Sequence, residues 1–91
     1  MQQTSSPESA IFAARLEDWR ASLGEGHNAF ARRLGISGPY WHQLRVGLRN
    51  PGADFMSQAI GRAGEPWKSA LKQARQADQD AADAAAVQAV A

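Results

Sequence analysis

Ninety-one residues, 44% of them apolar, suit one small domain with a modest core and exclude a second. No run approaches the roughly 20 apolar residues of a membrane span, and no basic stretch leads into an apolar one as in a secretory leader. The absence of cysteine removes disulfides and thiolate metal sites, so the cytoplasm is the expected compartment. The net charge of +1 conceals a division along the chain. Before His27, Glu8, Glu17, Asp18 and Glu25 outweigh Arg15 and Arg20, and after Lys72, Asp78, Asp80 and Asp83 outweigh Arg75. Between them Arg32, Arg33, Arg45, Arg49, Arg62, Lys68 and Lys72 face only Asp54 and Glu65. A basic centre between acidic ends is what a duplex binder needs. Alone it describes a solvated surface at least as well, and it gains meaning from the motif it surrounds.

In chain order, residues 1–6 read as a disordered N-terminus, residues 7–76 as one domain and residues 77–91 as an Ala-rich extension. Ser6, Pro7 and Glu8 are a capping residue, a first-turn proline and a first-turn acid, and Phe12, Leu16, Trp19 and Leu23 follow at helical spacing. Gly24 closes this first helix, and its apolar stripe, Trp19 included, is expected in the core. Phe30, Ala31 and Leu34 form one face of a second helix, which Gly35 ends in the left-handed conformation. Ile36 is an apolar plug in the turn. Ser37 caps a third helix whose early Pro39 is tolerated, because first-turn amides have no intrahelical acceptor to lose. Two helices joined by so few residues cross closely, and Ala31 is small enough for the contact.

In the third helix Trp41 and Leu44 point inward, while Pro39, His42, Gln43 and Val46 cluster on the opposite side with Tyr40 and Arg45 on the flanks. Residues 47–52 form a loop. Ala53, Met56, Ile60 and Ala63 give a fourth helix its inner face, ended by Gly64. Pro66 opens a fifth, with Trp67, Ala70, Leu71 and Ala74 at helical spacing. The alanine-dominated segment beyond Ala77 has high helix propensity and little surface to bury. It could continue the fifth helix, fray, or pack on another subunit through Ala70, Ala74, Ala77, Ala81 and Ala84, beside Trp67 and Leu71.

The runs Phe30-Ala31-Arg32-Arg33-Leu34-Gly35-Ile36-Ser37, Tyr40-Trp41-His42-Gln43-Leu44 and Gly47-Leu48-Arg49-Asn50-Pro51 together resemble the lambda-repressor and Cro-like (XRE) helix-turn-helix family, over about Leu16 to Leu71. The resemblance implies an all-α, five-helix DNA-binding domain whose third helix reads the duplex. Two positions depart from the family: Arg45 stands where a glutamate is usual, and the recognition helix opens with Gly38-Pro39.

The outward face is the one that would enter a major groove. Gln43 has the amide to pair bidentately with adenine, and His42 can donate to a guanine acceptor or a phosphate. Tyr40 and Arg45 are placed for phosphate or sugar, and Pro39 and Val46 for apolar contact such as a thymine methyl. His27 or Asn28, opening the second helix, would offer amides to a phosphate, and Arg49 with Asn50 forms a second expected phosphate clamp. Nothing points to catalysis, a cofactor or a metal. His27 and His42 stand far apart with no acid placed to orient either, Gly35-Ile36-Ser37-Gly38 lacks the strand and the second glycine of a nucleophile elbow, and there is no phosphate-binding loop. The expected function is that of a sequence-specific transcriptional regulator, a phage, plasmid or small-operon repressor, bound as a homodimer to an inverted repeat. The rival is an interaction protein such as an antitoxin, anchored to DNA by the domain and holding a partner protein through its C-terminal tail.

Overall fold

The computed structural model describes the backbone of residues 10–90 and the side chains of residues 11–84, and the described residues form five α-helices and no strand. They are α1 (Ala10–Leu23), α2 (His27–Leu34), α3 (Gly38–Arg45), α4 (Ala53–Arg62) and α5 (Trp67–Val90). No described helix is long and apolar enough to cross a membrane. The expected disordered N-terminus and the Ser6 cap lie outside the described residues.

Phe12, Leu16 and Trp19 carry the stripe of α1 into the core, and the stripe ends there, since Leu23 is exposed. Helix α1 lies chiefly against α5. That packing supplies α1 with an N-terminal acceptor from far along the chain. The amides of Ile11 and Phe12 donate to the two carboxylate oxygens of Asp78 at 3.3 and 3.0 Å, and Asp78 is itself buried. A buried carboxylate that accepts first-turn amides satisfies donors the helix leaves open and faces the positive end of its dipole. The expected boundary at residues 76 and 77 therefore falls inside α5, one residue before a side chain that holds the first helix.

An aromatic stack fills the centre. Trp19 meets Phe30 edge-on with ring centroids 5.2 Å apart, and Phe30 leans on Trp41, also at 5.2 Å. Such tilted and edge-on pairs add to the apolar area the rings remove from water. In α4 the buried residues are Phe55, Ala59, Ile60 and Ala63. This corrects the expected inner face: Ala53 is exposed and Met56 only half-buried, because Tyr40 of α3 meets Phe55 edge-on at 5.7 Å and turns α4 toward it.

Leu71 and Ala74 are buried within the protomer, which corrects their expected use in joining subunits. Of the expected alanine face, Ala70 and Ala77 are half-buried and Ala81 and Ala84 exposed. The alanine segment continues the fifth helix, α5 running without a break to Val90.

Candidate nucleic-acid interface

The α2–α3 corner is built from local rules. Gly35 stands at φ 75°, its amide donates to Arg32 O at 3.1 Å, and the next amide, of Ile36, reaches back to Ala31 O at 3.0 Å. These two bonds close the end of α2 in a Schellman arrangement, with Ile36 packed on the core. Two residues after Gly35, the Ser37 hydroxyl accepts the Tyr40 amide at 3.1 Å and starts α3. Ala31, buried at the crossing, lets the helices approach. A side chain the sequence did not single out also holds the corner: Arg62 of α4 donates to Arg33 O at 2.8 Å, over the negative end of α2. Its guanidinium lies 3.2 Å from where a Cβ on Gly35 would stand.

Helix α3 is sorted as its period dictates. Trp41 and Leu44 are buried, Pro39 and His42 are exposed, Gln43 is half-buried, and Val46, which ends the helix, is exposed. Gly47 follows at φ 81°, and Leu48 donates back to Gln43 O at 2.9 Å, which turns the chain away from the outward face.

The flanking residues are more tightly held than their spacing suggested. Tyr40 packs on the core through Phe55, and the Arg49 guanidinium lies 5.4 Å from the centroid of its ring. Arg49 is thus drawn from the loop to the edge of α3 by a cation–π contact. Arg45 lies over Trp41 at 5.8 Å and places a guanidinium nitrogen 3.3 Å from His42 Nδ1. Its Nε is buried and makes no hydrogen bond among the described residues. The side chain expected to reach a phosphate is therefore half inside, beneath His42, and aligns that ring.

The acid facing this region is Glu17 of α1. The Arg20 side chain donates to its Oε2, with Nε at 2.9 Å, while Oε1 is buried without a bond among the described residues. Its carboxyl is held below the usual glutamate range first by the hydrogen bond from Arg20, then by the fields of Arg20, His27 and Arg45, against the cost of burial. Glu17 is half-buried, while its neighbour Asp18 is exposed and pairs with Arg15 at 3.0 Å.

The N-termini of α2 and α3 meet. Asn28 Oδ1 lies 3.1 Å from where a Cβ on Gly38 would stand, so a larger residue at position 38 would require the Asn28 side chain to give by a few tenths of an ångström. His27 Nδ1 accepts the Trp41 indole N–H at 3.2 Å, which ties the first residue of α2 to the buried side of α3. Gly26, the N-cap of α2, offers no side-chain acceptor to the amides that follow. An anion there would find open donors at the positive end of the helix. Asn50 sits apart from this group, lining a groove of about 180 Å³ with Pro51, Met56 and residues of α5. The structure thus brings His27, Asn28, Tyr40, His42, Arg45 and Arg49 around α3, leaves Pro39, Gln43 and Val46 along its outer side, and sets Asn50 toward α5.

No family model matches the chain, and no curated protein or solved structure matches it. The described residues are all-α, with α2 and α3 joined at a closed corner.

Proposed function

We propose that the chain is a sequence-specific, DNA-binding transcriptional regulator of the lambda-repressor and Cro-like type, a repressor that binds an inverted repeat as a homodimer. The observation that carries this reading is the α2–α3 corner: a left-handed Gly35, a Ser37 cap, and a short α3 whose Trp41 and Leu44 are spent on the core while Pro39, His42, Gln43 and Val46 are not. In this reading α3 lies in the major groove, with Gln43 and His42 toward base edges. The amides of His27 and Asn28 and the Arg49 guanidinium take the phosphates on either side, and Arg45 orients His42 from beneath. Cations around α3 would supply the salt-dependent part of the affinity.

Selection of bound sequences from a random duplex pool tests the reading directly. A recovered dyad-symmetric consensus is the expected result. Enrichment of no sequence, with binding that any random duplex competes away, would reduce the protein to a non-specific binder.

A further inference from the structure

The chain has two histidines, and each presents Nδ1 to a group that only donates. Trp41 gives its indole N–H to His27 Nδ1 at 3.2 Å, and Arg45 Nη2 stands 3.3 Å from His42 Nδ1. An indole nitrogen and a guanidinium carry protons and no acceptor, so each Nδ1 contributes its lone pair. A neutral imidazole has one ring proton, and with Nδ1 accepting, that proton is on Nε2. Nε2 is the ring nitrogen farther from the backbone, and both residues are exposed. Each ring therefore offers a donor to whatever lies outside, and no acceptor.

One buried side chain arranges both rings. Trp41, fully buried, donates to His27 from its edge and seats the Arg45 guanidinium 5.8 Å from its centroid. The Glu17 carboxylate of α1 lends its field to the same guanidinium. The two rings differ in their surroundings. His27 opens α2, where uncapped amides already favour an anion, so its N–H joins a set that takes phosphate whatever the sequence. His42 stands on the outward face of α3, where its N–H would meet a base edge. In the major groove guanine presents two acceptors, adenine one beside a donor, thymine one beside a methyl, and cytosine a donor alone.

We propose that Arg45 decides which base His42 reads: by donating to Nδ1 it keeps His42 an obligate Nε2–H donor, which selects guanine and rejects cytosine at one position of the site. Arg45 is a positioning residue in this account, acting on the duplex only through His42. The place of the proton concerns the free protein alone, whereas the choice of base rests on the duplex reading above.

Long-range nitrogen–proton correlation spectra of the full chain at about pH 8, above the ordinary imidazole value of about 6.5, locate the proton on each ring without DNA. Both rings should show a bare Nδ1 and a protonated Nε2. Arg45→Met keeps an apolar stem over Trp41 and loses the donor, so His42 should become a mixture of the two forms while His27 stays single. A proton on His42 Nδ1 in the unaltered chain, or the same mixture with and without Arg45, would overturn the proposal, and the first of these needs no variant that folds. Selection from a random duplex pool reads the choice of base. The unaltered chain should enrich guanine at the position that His42→Ala leaves unspecified, and Arg45→Met should lower its advantage over cytosine there by about tenfold while other positions hold. An undiminished guanine preference in Arg45→Met, or a loss spread evenly over all positions, would deny Arg45 this role. No enrichment by the unaltered chain would overturn the duplex reading and the choice of base with it, while the spectra separately decide the place of the proton.

Discussion

Gly35 answers two demands at once, one from its own backbone and one from a distant helix. Its φ of 75° penalises any Cβ, and the Arg62 guanidinium, 3.2 Å from where one would stand, would have to give way slightly. Gly35→Val should cost about 1 to 2 kcal/mol or more, read by urea unfolding. Arg62→Ala relieves the crowding but not the backbone, so most of the penalty should persist in that background. Unchanged stability of Gly35→Val would remove the left-handed turn from the account. At the same scale, three carboxyls sit below the ordinary value of 4.5: Glu17 through Arg20, Glu25 through Arg33, and Glu65 through the Ser69 hydroxyl and amide. A carboxylate lowered in the fold stabilises it above the unfolded value, and that support disappears as pH falls through the lowered one. Melting temperature should therefore hold down to about pH 5 and fall below about 4.5. Glu17→Gln with Glu25→Gln and Glu65→Gln should flatten the acid limb; an equally steep limb in that variant would assign it to other groups.

Two elements owe their function to partners outside themselves. Helix α1 takes its first acceptor from Asp78, and Asp78→Ala leaves two amides without that carboxylate, a loss of about 1 to 3 kcal/mol by thermal unfolding. Ending the chain after residue 76 should cost at least as much, whereas ending it after residue 84 should cost little. Equal melting of both truncations would show that Asp78 is not needed by α1. For α3 the two kinds of duplex contact proposed above separate in kind. Gln43→Ala should cost about 1 to 3 kcal/mol and relax preference at one base position, while Arg49→Ala should weaken all duplexes alike and lower the salt slope by about 0.9. Parallel losses on selected and random duplex in both variants would deny Gln43 a reading role.

For the whole molecule, a single α3 offers too few side chains to supply the roughly 4 to 10 kcal/mol that separates specific from random binding at about 1 to 3 kcal/mol per good base contact. Doubling the contacts closes the gap. A dimer should place its recognition helices about 34 Å apart, one duplex turn, and the selected site should show half-sites about 10 base pairs apart. Sedimentation with that site should find two chains per duplex. One chain per selected duplex would dispose of the dyad.

What the sequence determined by itself is what neighbouring residues decide among themselves. The helix ends at Gly24, Gly35 and Gly47, the Ser37 cap, and the inward Trp41 and Leu44 follow from φ preference, capping chemistry and a 3.6-residue period, none of which needs a distant partner. The tertiary structure decided whatever depended on which surface arrived opposite. Phe55 and Met56 both suit a helical stripe ending at Ile60 and Ala63, and only the position of Tyr40 selects Phe55. Arg45 reads as a flanking cation until Trp41 gives its guanidinium a ring to lie on. Glu17 stands beside Asp18 in sequence, and the opposing fields of Arg20, His27 and Arg45 separate their roles. Asp78 and Arg62 lie far along the chain from the groups they hold. A side chain's spacing states its helix face, but its partner is set by the packing of helices that the local pattern does not encode.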